Sequence, residues 1–283
     1  MNKIPLRQFK ETFSEERFSI RDIESLVAEK DLNHELHRHD FYLVLFIKNG
    51  KGDHEIDFIN YEVGNYSVFF VRPGQVHKLN LKKESSGFLL QFTTDFYFPR
   101  EKPSDYVLRK VSNKNHCLLS LDRFDKIVTL LDYIFLEFTQ KQDRYKEVIK
   151  ASLEILFIEL ARQSQNPDKI LNETSLYTQE RIAELMELLE KNIALKKQVS
   201  QYAEMLNVTP YQLNSITKTA LNKTCSEVIN EHIILEAKRL LIATSNQVNQ
   251  IADMVGYEDQ SYFIRFFKKH TGSSPEVYRM NYK

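Results

Sequence analysis

The feature that most restricts this chain is a repeat in its last third. VSQYAEMLNV (199–208) lies above VNQIADMVGY (248–257) at a shift of 49, so that Val199 meets Val248, Gln201 meets Gln250, Ala203 meets Ala252 and Met205 meets Met254. Beyond the turn the shift becomes 50: Leu213 lies over Phe263, Ile216 over Phe266 and Lys218 over Lys268. Each copy reads as a short helix, a tight turn and a second helix. The small alanine lets two helices approach closely. Asn207 and Gly256 occupy the turn, and these residue types best tolerate a left-handed backbone. Thr209-Pro210 supplies an N-cap and an N1 proline for the helix that follows; Asp259, or Glu258 beside it, stands ready to start the matching one. This is a helix-turn-helix pattern, whose second helix enters the DNA major groove.

Two bland readings compete. A helical solenoid generally needs three or more copies, and two are visible. A purely structural pair of helical hairpins would not need polar second helices. Here the first copy offers Tyr211, Gln212, Asn214, Ser215 and Lys218, and the second Gln260, Ser261, Tyr262, Arg265, Lys268, Lys269 and His270. Amides and guanidinium groups at successive turns read base edges, and lysines suit phosphates. Leu213, Ile216, Phe263, Phe266 and Phe267 are expected to face inward. Between the copies, residues 226–241 belong to an expected helix of about 18 residues, roughly 27 Å long. That is close to the roughly 34 Å between successive major-groove faces on one side of B-DNA.

The front of the chain has another character. Residues 18 to 98 read mainly as β: LVLFI (43–47), SVFFV (67–71) and GFLLQFT (87–93) are separated by turn signals at 49–52, 63–65 and 72–74, as in a small sandwich or barrel. After residue 120 the period becomes helical, with Phe124, Ile127, Leu131, Ile134 and Phe138 on one helix and Ile149, Leu153, Leu156, Phe157 and Leu160 on the next. Val148, Ile155 and Ile158 widen the second apolar face. Either the β domain or a second copy of the chain must cover it, and the small size of the β domain favours the second copy. The polar stretch at 162–168 reads as a linker.

HELHRHD (34–40) holds three histidines. Clustered imidazoles are a common way to hold zinc or iron. On a strand, His37 and His39 share one face and are expected to meet His77 there, while His34 is expected to point into solvent and Asp40 to the other side. No glutamate follows at a useful spacing, so a metal-dependent cupin enzyme with a helical appendage is the alternative and not the leading reading.

At this point the match is specific. IADMVGYEDQSYFIRFFKKHTGSSPEVYR (251–279) closely resembles the signature of AraC/XylS-type transcription regulators. EAKRLLIAT (236–244) resembles that family's linker helix, and AEMLNVTPYQLNSITK (203–218) its first helix-turn-helix. HRHDFYLVLFIKNGKGDHEID followed by VRPGQVHKLN looks like the cupin-like sensor domain that many such regulators carry. The resemblance implies base contacts by Tyr211, Asn214 and Ser215 and by Gln260, Ser261, Tyr262 and Arg265. It implies phosphate contacts by Thr209, Lys218, Lys268 and Lys269. His37, His39 and His77 become candidates for an effector pocket. The family commonly has Arg where Ser215 stands, an aromatic at Thr217 and Gly at Asn222. The first change weakens base readout by the first unit.

The expected fold is α+β: a cupin-like sensor and dimerisation domain over 1–165, then an all-α domain of two helix-turn-helix units over 175–283. The expected partners are double-stranded DNA, a second copy, RNA polymerase and a small-molecule effector, with no cofactor, no metal and no catalytic residue. A cupin-like part that only dimerises and contacts a partner, with no ligand, is left open. A formal net charge of zero argues against binding of polyanions through bulk charge alone and leaves room for a local basic surface. The opening residues lack the apolar core of a signal peptide, and FYLVLFI (41–47) is too short to span a bilayer. Cys117 and Cys225 suggest no disulfide framework. A cytoplasmic protein with no membrane partner is expected.

Overall fold

The continuous apolar run at 41–47 predicts a strand covered on both faces, and the computed structural model shows what covers it. The structure describes residues 6–9, 17–97, 104–163 and 173–282. The expected linker at 162–168 lies mostly outside them, as does most of the opening segment. The described residues form two compact units, one up to residue 163 and one from 173 onward.

The first unit holds two five-stranded sheets. One contains β1 (Leu6–Arg7), β3 (Leu32–His39), β8 (Val76–Leu81), β5 (Gly52–Ile56) and β6 (Ile59–Val63), in that order. The other runs β10 (His116–Leu118), β7 (Ser67–Val71), β4 (Tyr42–Asn49), β9 (Ser86–Phe92) and β2 (Phe18–Asp22). Alternate residues of β4 serve two cores. Leu43, Leu45 and Ile47 join Ile56, Phe69, Leu79 and Leu81 in one apolar cluster. Val44 and Phe46 join Phe70, Leu90 and Phe92 in another, with Phe124, Ile127, Leu131 and Ile134 of α4 (Leu121–Gln140) and Ile149, Leu153, Leu156, Phe157 and Leu160 of α5 (Tyr145–Gln163). Burial on both faces removes the polar alternation from the sequence. Short helices α1 (Ile23–Val27), α2 (Thr94–Tyr97) and α3 (Ser104–Ser112) complete the unit.

This corrects the preference for a second copy over α5. The sheet's own outer face covers Ile149, Leu153, Leu156 and Phe157, all fully buried. What remains outside is the widened edge: Ile155 is exposed, and Val148 and Ile158 are half-buried.

The second unit is helical: α6 (Glu173–Asn192), α7 (Val199–Met205), α8 (Pro210–Leu221), α9 (Cys225–Ala243), α10 (Val248–Met254), α11 (Gln260–Thr271) and α12 (Pro275–Asn281). Its core joins Tyr202, Ala203, Leu213, Ile229, Ile233, Ala237, Ile251, Ala252, Phe263 and Phe267. Both alanines of the repeat are buried where helices meet, as their size requires.

Candidate functional site

The two copies of the repeat become two helix-turn-helix units, α7–α8 and α10–α11, joined by α9. Both turns are left-handed, with φ of 53° at Asn207 and 76° at Gly256. Thr209 caps α8 and its hydroxyl accepts from the Gln212 amide; Asp259 caps α11 and accepts from Tyr262. The repeated glutamines also gain a reason. Gln201 Oε1 accepts from the Gln198 N–H at 3.0 Å and Gln250 Oε1 from the Gln247 N–H at 2.8 Å, so each closes the first turn of its helix. At 19 residues, α9 spans about 28 Å. Arg279 fixes its far end: Nε donates to the Leu241 carbonyl at 2.8 Å and Nη2 to that of Asn246 at 2.7 Å.

Both second helices leave one face open. Tyr211, Ser215 and Lys218 on α8, and Ser261, Arg265 and Lys268 on α11, are exposed at the same i, i+4, i+7 positions. Gln260, Tyr262, Lys269 and Thr209 are exposed as well, while Leu213, Ile216, Phe263 and Phe267 are buried and Phe266 is half-buried. Asn214 stands apart. It is half-buried, and its Oδ1 accepts the Cys225 N–H at 3.0 Å at the start of α9. Its place in the second copy is taken by half-buried Ile264. The carbonyl oxygen therefore holds two helices together, leaving only the amide NH2 to face outward.

In the β-rich unit the structure brings His37, His39 and His77 together and adds residues that the sequence reading missed. Ring centroids of His37 and His77 are 4.3 Å apart, and those of His39 and His77 4.9 Å. His54, on β5, puts Nε2 at 3.0 Å from His77 Nδ1. His34 does not point into solvent: it is half-buried, 5.7 Å from the His37 ring. The β3 register against β8 shifts between His34 and His37, and such an irregularity breaks strict alternation so that three residues along the strand return to the same side. The signal for His54 lay in its fixed register, since Asp53 pairs with Asn80 and Ile56 with His77. No local motif marks it.

Burial keeps these rings neutral. It lowers His37 and His34 to about 4, His39 and His54 to about 3, and His77 well below the usual value. The Nδ1 of His37 lies 2.7 Å from the Glu35 carbonyl, and that of His39 2.6 Å from the Phe41 carbonyl. A carbonyl only accepts, so both Nδ1 atoms carry the proton and both Nε2 atoms present lone pairs. His39 Nε2, His54 Nδ1 and His77 Nε2 are buried without a partner. His54 Nε2 and His77 Nδ1 share one proton between them, so the outer nitrogens of that pair are one N–H and one lone pair. The cluster thus offers an unsatisfied donor beside unsatisfied acceptors in an apolar interior, which suits a hydrogen-bonding guest. Among the described residues no group of three histidine, cysteine, aspartate or glutamate side chains is placed to hold a metal ion.

Comparison with known proteins decides what these two sites belong to. Residues 202–281 match the helix-turn-helix domain family, and residues 27–99 match the AraC-like ligand binding domain. The chain is an AraC-type transcription regulator. Among its relatives are the HTH-type transcriptional regulator YfiF of Bacillus subtilis, 22% identical over 88% of this chain and 79% of that protein, and the HTH-type transcriptional activator RhaR of Mannheimia succiniciproducens, 22% identical over 87% of each. The raffinose operon regulatory protein RafR of Pediococcus pentosaceus is 31% identical over 32% of this chain and 33% of its own length. In an AraC-type regulator the helical unit binds DNA, and the histidines belong to a ligand-binding domain rather than to an enzyme. No helix among the described residues is long and apolar enough to cross a membrane.

Proposed function

We propose that this regulator reads two adjacent major grooves per chain, one with α8 and one with α11, and that it activates transcription. The carrying observation is the pair of matched open faces, Tyr211–Ser215–Lys218 and Ser261–Arg265–Lys268, set at the two ends of a single helix. Base edges fall to Tyr211, Ser215, Gln260, Ser261, Tyr262 and Arg265, and to the amide of Asn214. Phosphates fall to Thr209, Lys218, Lys268 and Lys269. The domains divide as 1–165 for sensing and pairing and 175–283 for DNA. Activator relatives such as RhaR support the sign of regulation, and activation implies a contact with RNA polymerase in the cytoplasm. Two copies pair through α4 and α5, where Tyr133, Leu136 and Ile155 are exposed. A small-molecule effector that hydrogen-bonds binds at His37, His39 and His77, where the buried Nε2 atoms of His39 and His77 lack partners.

Selection of bound DNA from a random pool tests the reading. Two conserved blocks about one helical turn apart, roughly 10 base pairs, are expected. A single short block bound with unchanged affinity by a chain altered in α8 would overturn it.

A further inference from the structure

A second concavity in the β-rich unit lies away from the histidines. It opens beside the helix-packed face of the second sheet, between the start of β2, α2, the end of α4 and the start of α5, and has a volume of about 230 Å³. Its floor is aromatic: Phe18 stacks on Phe96 at 5.1 Å between ring centroids and meets Phe138 edge-on at 5.5 Å, with Ile149 fully buried beneath. Its rim is cationic. Arg17 is neutralised by Asp95 at 3.0 Å. Lys150, half-buried, has its Nζ 5.3 Å from the centre of the Phe96 ring, and Lys146 has its own 5.7 Å from that of Tyr145. Neither lysine has a carboxylate partner among the described residues. Two unneutralised ammonium groups over an apolar floor are complementary to one kind of guest.

We propose that this concavity binds a small organic anion, a carboxylate on an aromatic or short aliphatic body. The ring-lined floor takes the body, and Lys146 and Lys150 take the carboxylate through charge-assisted hydrogen bonds. The volume falls below the roughly 300–1,000 Å³ of sites for drug-sized ligands, which restricts the guest to about the size of a single-ring acid. The site is distinct from the histidine cluster. Phe18, Phe96, Phe138 and Ile149 belong to the core between the second sheet and its helices, whereas the His39 and His54 rings lie against Phe41 and Phe69 of the other core. Its walls include the ends of α4 and α5 that meet at the turn between them, so occupancy bears directly on how these two helices are held.

The test uses the full chain and the fluorine signal of 4-fluorobenzoate, with 4-fluorobenzamide as its uncharged counterpart. Saturable binding of the acid is expected, with no saturable binding of the amide. Lys150→Gln should weaken the acid about ten-fold, the effect of losing one charge-assisted contact. Lys78→Gln, which removes a charge from the outer face of the first sheet, should leave it unchanged. Circular dichroism of each variant establishes that it is folded. Failure of the acid to saturate, equal binding of the amide, or a folded Lys150→Gln chain that binds normally would each overturn the proposal.

Discussion

His39 lies fully buried between two sheets with a ring nitrogen that has no partner, whereas Arg265 stands in solvent on a helix whose other face is packed. The two residues represent their units. His37, His39, His54 and His77 are all buried in the β-rich unit. In the helical unit the groups assigned to DNA are displayed, apart from half-buried Asn214, and the folded positions of the displayed ones require no desolvation. Polar groups hidden from water lower stability and make it respond to pH or to a guest. Displayed groups leave stability alone and act only when a partner arrives. Substitutions at these buried histidines should therefore be read first as stability, and those at the displayed positions of α8 and α11 as affinity.

The largest expected effect is acid lability confined to the β-rich unit. The buried histidines titrate near 3 to 4 when folded and near 6.5 when unfolded. Between those values the unfolded chain binds more protons, so stability is full above pH 6.5 and falls as pH drops toward 4. At pH 5 each ring contributes a loss of about 2 kcal/mol. Several together approach the roughly 5–15 kcal/mol of a whole domain. Thermal unfolding followed by circular dichroism at pH 7.5 and pH 5 should show the transition of the β-rich unit, which carries the β signal together with α4 and α5, moving far lower at the lower pH, while the transition of the helical unit is little changed. His39→Phe should restore part of the loss. A β transition that does not move would break the contrast between the units.

Next in size is a backbone contact inside the helical unit. A Cβ on Gly256 would lie 1.8 Å from the Ala194 carbonyl oxygen, and φ there is already 76°. Gly256→Ala should destabilise the helical unit by at least about 2 kcal/mol, from left-handed strain plus displacement of the 193–197 turn. Asn207→Ala, at the matching turn, should cost about 1 kcal/mol from strain. Urea unfolding of both variants measures the difference. Equal costs would show that the second turn is not held by close approach.

Arg265→Ala separates affinity from stability. It should weaken operator binding by about 1–3 kcal/mol, relax preference at one base and leave the melting temperature unchanged. Salt titration of wild type and variant checks that the remaining phosphate contacts persist.

The sequence exposed the helical unit more fully than the β-rich one, for a physical reason. Helix-turn-helix signals are local: Ala203, Asn207, Thr209 and Pro210 lie within eight positions, and their copies confirm them. The role of Asn214 was hidden because its partner, the Cys225 amide, lies across a turn that polar residues fill in many ways. The histidine cluster depends on sheet register. His37 and His39 were legible as a pair two apart, but His54 joins them only through pairing of β5 with β8, and His34 only through the shifted register of β3. The cover of α5 was equally non-local, since it requires knowing that β4 buries both of its faces.

The smallest effect tests whether the two reading helices contribute unequally. Ser215 occupies the position that Arg265 occupies in the second copy, but its hydroxyl is short and uncharged. A neutral hydrogen bond is worth about 0.5–1.5 kcal/mol, against roughly twice that for a charged one. Ser215→Ala should therefore cost operator binding about 0.5 kcal/mol. Combined with Arg265→Ala, the two costs should add, because the residues stand on separate helices with no shared partner. Ser215→Arg should behave differently: a new cation on α8 raises affinity for DNA in general and steepens the salt dependence. Gel-shift titrations at two salt concentrations resolve these outcomes. A Ser215→Ala loss as large as that of Arg265→Ala would place base reading equally in both copies and remove the asymmetry argued from their side chains.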